Sequence, residues 1–113
     1  EFPDPQAMAM KYAAELRPKV DLLVLVSHMG DDRDVELLGK ETRFDVVIGG
    51  HTHVKVDSLV NGTLLTQTGK YLKNVGVAAG RSKASNRASC RWTVMRPMRR
   101  IRPRWTATMP IPS

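Results

Sequence analysis

The stretch DLLVLVSHMGDDRDVELLGKETRFDVVIGGHTH, residues 21–53, sets the fold. Leu22 to Val26 is an aliphatic run without alternation, the pattern of a strand buried on both faces in a parallel sheet covered by helices. Ser27-His28-Met29-Gly30 ends it. Asp31, Asp32 and Asp34 then crowd a predicted helix start, where carboxylates suit the macrodipole and the free N–H groups; Asp31 and Asp32 read as caps. Val35, Leu37 and Leu38 supply the apolar face of that helix. Thr42-Arg43 leads into Asp45-Val46-Val47-Ile48, a second buried strand. Strand, helix, strand over this length is a βαβ unit with a right-handed crossover. Its two strands are parallel neighbours and end on the same edge of the sheet. Ligand sites in open α/β sheets lie at such carboxyl ends. His28 follows the first strand, and His51 and His53 follow the second, so the topology draws His28 and His51 towards one place.

Outward from this unit the signals are plainer. Asp4-Pro5 is an N-cap followed by proline at the first helical position. Met8, Tyr12 and Leu16, with Ala9 and Ala13 beside them, form one apolar stripe of a helix that Pro18 brings to an end at Arg17. On the other side, Val54, Val56 and Leu59-Val60 are separated from Thr63-Leu64-Leu65-Thr66 by Asn61-Gly62, a strong two-residue hairpin signal. Gln67 to Tyr71 reads as a polar loop, and Val75 to Ala79 as a further strand. The fold class expected is α/β: one βαβ unit, then a β-hairpin and another strand.

A chain of 113 residues has room for one small domain or part of a larger one. Its 42% hydrophobic content suits a globular core. The single cysteine, Cys90, closes no internal disulfide and leaves the redox compartment unread. No apolar run approaches the roughly 20 residues of a membrane span, and no signal-peptide pattern stands at the start. The chain opens at Glu1 and not at methionine, which places the expected natural start upstream. The net charge of +7 hides a division. Residues 1–80 hold 9 Lys and Arg against 11 Asp and Glu, a net of −2, whereas residues 81–113 hold 9 Lys and Arg and no acid, a net of +9. The two parts need separate explanations.

His28, His51 and His53 are the only histidines, and each falls where a strand should end. Neutral imidazole is a good ligand for zinc, manganese or iron. Three imidazoles alone suit one zinc ion; the plainer alternative is that they are loop histidines capping backbone groups. Hard metals and phosphate chemistry usually need carboxylates as well. Asp45 opens its strand at the far end from the histidines.

VDLLVLVSHMGDDRDVELL, FDVVIGGHTH and NGTLLTQTGKYLKNVGV, in this order and spacing, resemble the calcineurin-like metallophosphoesterases. The similarity covers about Asp4 to Ala79 and points to the group of 5′-nucleotidases, UDP-sugar hydrolases and 2′,3′-cyclic phosphodiesterases. The resemblance implies a four-layer αββα sandwich with a two-metal centre at one edge. It implies His28 and His51 as ligands of one divalent ion and His53 as reaching the other. It also implies a phosphorylated small-molecule substrate such as a nucleotide, and a parent protein that is periplasmic or secreted. Gly49-Gly50 would let the backbone pass close to ions and substrate. This sequence lacks the family's D-x-H and G-N-H-[DE] motifs. Residues 1–80 therefore resemble the C-terminal half of a catalytic domain, expected to be inactive by itself.

Residues 81–113 form a basic Arg/Pro-rich tail or linker, in which Arg91 to Met95 reads as one strand. Arg99 to Trp105 could contact nucleic acid or anionic lipid through phosphates, and a small basic binding module on a phosphoesterase scaffold without its metals is the non-enzymatic alternative. A shifted reading frame near Gly80, or a basic version of the family's closing strand, would give the same composition.

Overall fold

The computed structural model describes residues 1–80 and the short strand Arg96–Pro97. Helix α1 spans Pro5–Leu16 and is followed by a 3₁₀ turn at Arg17–Lys19. The described chain then runs β1 (Val24–Val26), α2 (Asp31–Lys40), β2 (Val46–Ile48), β3 (Lys55–Val60), β4 (Thr63–Thr68) and β5 (Asn74–Val75), with β6 at Arg96–Pro97. The main sheet has the order β1-β2-β4-β3. β1, β2 and β4 are parallel, and β3 returns antiparallel beside β4. The result is a mixed α/β unit with two helices, compatible with a fragment of an α/β sandwich.

The predicted βαβ unit and hairpin are present. Asn61 (φ 48°) and Gly62 (φ 78°) both take the positive φ that a two-residue turn matching strand twist requires. The Asn61 side-chain amide donates to the Leu38 carbonyl at 2.9 Å, which ties the turn to the end of α2. Asp4 caps α1 as expected, its carboxylate accepting from the Ala7 N–H at 2.9 Å.

Register decides where the core lies. Leu25, Val47 and Leu65 are aligned across β1, β2 and β4 and share one face. Leu37 and Leu38 of α2 and Ala13 of α1 pack there with Leu23 and Phe44. The opposite face carries Val24, Val46 and Leu64 in one row, and Val26 and Ile48 in the next. Val26 is 77% exposed and Ile48 44%. β1 is therefore not buried on both faces, contrary to its uninterrupted aliphatic run. Among the described residues it is an edge strand, and both helices contribute to the core on the other face.

The helices differ from expectation in phase. Val35 is exposed, and the buried line of α2 is Asp34, Leu37, Leu38 and, just past its end, Glu41. Gly30 takes the N-cap position, so Asp31 and Asp32 lie in the first turn and are not caps. On α1 the buried residues are Gln6 and Ala13, whereas Tyr12 and Leu16 are partly exposed along a groove between α1 and β1. Gln6 is drawn in because its amide donates to the Arg33 carbonyl at 3.0 Å. Gln67 and Thr68 belong to β4, so the loop starts at Gly69. Of the last expected strand, Val75 to Ala79, only Val75 lies in a strand, β5, which pairs with Arg96–Pro97. The strand expected at Arg91–Met95 and the basic segment Arg99–Trp105 lie outside the described residues.

Asp45 is fully buried at the end of the sheet away from the histidines. Its Oδ2 accepts from Arg17 Nη1 at 2.6 Å and from the Leu23 N–H at 2.8 Å. Arg17 also donates to the carbonyls of Val20, Asp21 and Arg43. A single guanidinium thus gathers α1 and the segments entering β1 and β2.

Candidate metal centre

The three parallel strands end at one edge, and each is followed there by a loop of interest. β1 leads into Ser27-His28, β2 into Gly49 to His53, and β4 into Gly69 to Tyr71. His28 and His51 meet: their rings are edge-to-face with centroids 5.2 Å apart, and both are solvent-exposed. His53 is not part of that contact. Its ring lies near Tyr71, centroids 6.5 Å apart. Among the described residues no group of three His, Cys, Asp or Glu side chains is arranged to hold a metal ion. The three imidazoles thus do not form a single-zinc site among these residues. The donor chemistry fits a divalent ion at the His28–His51 pair, as part of a ligand set.

The loop after β2 is held in an uncommon conformation. His51 (φ 83°) and His53 (φ 61°) both adopt positive φ, which costs a non-glycine residue energy that surrounding contacts must supply. Thr52, between them, provides the anchor. Its hydroxyl donates to Asp31 Oδ1 at 2.6 Å and accepts from the buried Gln67 side-chain amide at 3.0 Å. Asp31, expected to cap its helix, instead ties the histidine loop to the start of α2.

The two preceding glycines are explained by close approach to side chains. A Cβ at Gly50 would come within 2.8 Å of His28 Nδ1, and one at Gly49 within 2.8 Å of Asp34 Oδ2. Gly50 therefore makes room for the ring of His28 beside the second loop. Asp34 is fully buried behind the pair. Its Oδ1 accepts from the Ser27 hydroxyl at 2.5 Å, and Ser27 Oγ in turn accepts from the Met29 N–H at 3.2 Å. Asp34 Oδ2 has no hydrogen-bond partner among the described residues. Burial pushes the Asp34 carboxyl above its ordinary value against the lowering effect of the Ser27 hydrogen bond, and the nearby Asp31 and Asp32 charges add to the rise.

Sequence reading thus placed His28 and His51 but missed Thr52, Gln67, Asp34 and Tyr71. Asp34 had a usable signal, since it precedes Leu37 and Leu38 by three and four residues and so shares their helix face. Gln67 and Thr52 had none, because a polar side chain in a strand or turn does not announce its partner.

No protein-family model matches the chain. It is similar to the trifunctional nucleotide phosphoesterase protein YfkN of Bacillus subtilis (strain 168), 38% identical over 74 residues that cover 58% of this chain and 5% of that protein. The chain therefore spans a small part of its relative's length, and the similarity supports a nucleotide-phosphoesterase-like relationship.

Proposed function

We propose that this chain carries the histidine side of a two-metal phosphoester hydrolase centre of the 5′-nucleotidase type. The observation that carries the reading is the convergence of His28 and His51 from two neighbouring parallel strands, beside a loop held at positive φ. His28 and His51 offer imidazole nitrogens to one divalent ion, zinc, manganese or iron, and His53 offers its ring to a second. Two such ions, when bound, polarise a phosphoryl oxygen and lower the pKa of bound water. Thr52, held by Asp31 and Gln67, fixes the backbone between the two loop histidines. The substrate class is a phosphorylated small molecule such as a nucleotide, in keeping with the activity in the relative's name. Among the described residues, no helix is long and apolar enough to cross a membrane.

The sequence contains neither D-x-H nor G-N-H-[DE], so the ligand set is incomplete within this chain. The reading is therefore that the chain takes up metal but does not turn over substrate alone. Equilibrium dialysis against zinc, with a parallel assay on bis(4-nitrophenyl) phosphate and manganese, tests both parts. Zinc retained by the chain and lost in His28→Ala and His51→Ala is the expected result, with no turnover above manganese alone. No zinc retention overturns the metal assignment, and turnover abolished by His51→Ala overturns the inactivity.

A further inference from the structure

Position 34 breaks the rule of its helix. The buried line of α2 otherwise carries leucines at its centre, and a fully buried carboxyl group with one oxygen lacking a hydrogen-bond partner among the described residues is costly there. Such local violations concentrate at functional or strained sites. The contacts of Asp34 say what it does. One oxygen takes the Ser27 hydroxyl, next to His28 in sequence. The same Ser27 Oγ holds the Met29 N–H, so the backbone is pinned on both sides of His28. The other oxygen lies where a Cβ on Gly49 would come within 2.8 Å, two residues before His51. Only a glycine lets that loop close down on the carboxyl group.

We propose that Asp34 is a positioning residue for the histidine pair: its buried side chain braces the loop after β1 against the loop after β2, setting the separation of His28 and His51. The inference rests on the metal-site reading only for its purpose. The brace itself can be measured without metal. It acts through shape and hydrogen bonding, so asparagine, which keeps the acceptor facing Ser27, replaces it. Alanine does not.

The full chain, Asp34→Ala and Asp34→Asn are compared by two readouts, with far-UV circular dichroism as the check on folding. The first is the nuclear Overhauser contact between the His28 and His51 rings in metal-free protein. The second is cobalt(II) titration followed by visible absorption. Asp34→Ala should lose the ring contact and weaken cobalt binding by about 10- to 100-fold, the usual effect of removing a group that orients a ligand. Asp34→Asn should keep both. A ring contact that persists in Asp34→Ala overturns the proposal, as does an Asp34→Asn protein that is folded but as defective as the alanine variant. If Asp34→Ala does not fold, Ser27→Ala removes one end of the brace and is read the same way; an unchanged ring contact there overturns the proposal. A parent chain that binds no cobalt but whose ring contact depends on Asp34 would refute the metal reading and leave the brace standing.

Discussion

Arg17→Met separates the scaffold from the site. The Arg17 side chain is 18% exposed and Asp45 fully buried, and their 2.6 Å contact lies at the sheet end away from the histidines. Methionine keeps the stem of the side chain but removes four donated hydrogen bonds, to Asp45, Arg43, Val20 and Asp21. The Asp45 carboxylate would keep the Leu23 N–H and lose the Arg17 guanidinium. Removing one partner of a buried pair costs about 3–5 kcal/mol. At about 0.05–0.15 kcal/mol per residue, that is a large share of the stability of a domain this size. Adding Asp45→Asn removes the buried charge and still leaves an acceptor for Leu23, so the double variant should regain most of the loss. Urea unfolding followed by circular dichroism measures both. An Arg17→Met protein within about 1 kcal/mol of the parent, as for an exposed ion pair, would refute the reasoning.

Leu37→Ala opens a cavity at a fully buried position of the core and should cost about 2–5 kcal/mol in the same measurement. Glu41 supplies a pH dependence. Burial alone would raise its carboxyl, but hydrogen bonds from the Arg43 guanidinium and backbone N–H hold it below the usual value. A depressed folded value means stabilisation that is present above the unfolded pKa and lost as pH falls through the folded one. Glu41→Gln should therefore flatten the acid side of a plot of urea midpoint against pH.

Much of this architecture is legible in residues 21–68, for identifiable reasons. The aliphatic runs at 22–26 and 46–48 define two strands, and Asn61-Gly62 defines a turn whose φ values only such residues adopt readily. The βαβ reading makes β1 and β2 parallel neighbours, and with that comes the approach of His28 to His51. What failed is burial that depends on distant neighbours. The run at β1 reads as doubly buried, yet its edge position and one-sided helix cover leave Val26 exposed. On α2 the eye follows Val35, a hydrophobic residue, and passes over Asp34, whose burial depends on a serine in one loop and a glycine in another. The glycine pair also makes room for Asp34 and His28, contacts that the sequence does not announce.

The proposed function turns on His28 and His51 holding one divalent ion together. Nuclear magnetic resonance of ¹⁵N-labelled imidazoles during zinc titration addresses it most directly. Ring nitrogens of both residues are expected to shift together and saturate at the same zinc concentration, and His51→Ala to abolish the response at His28. Independent titration of the two rings, or a His28 response that survives His51→Ala, would contradict it.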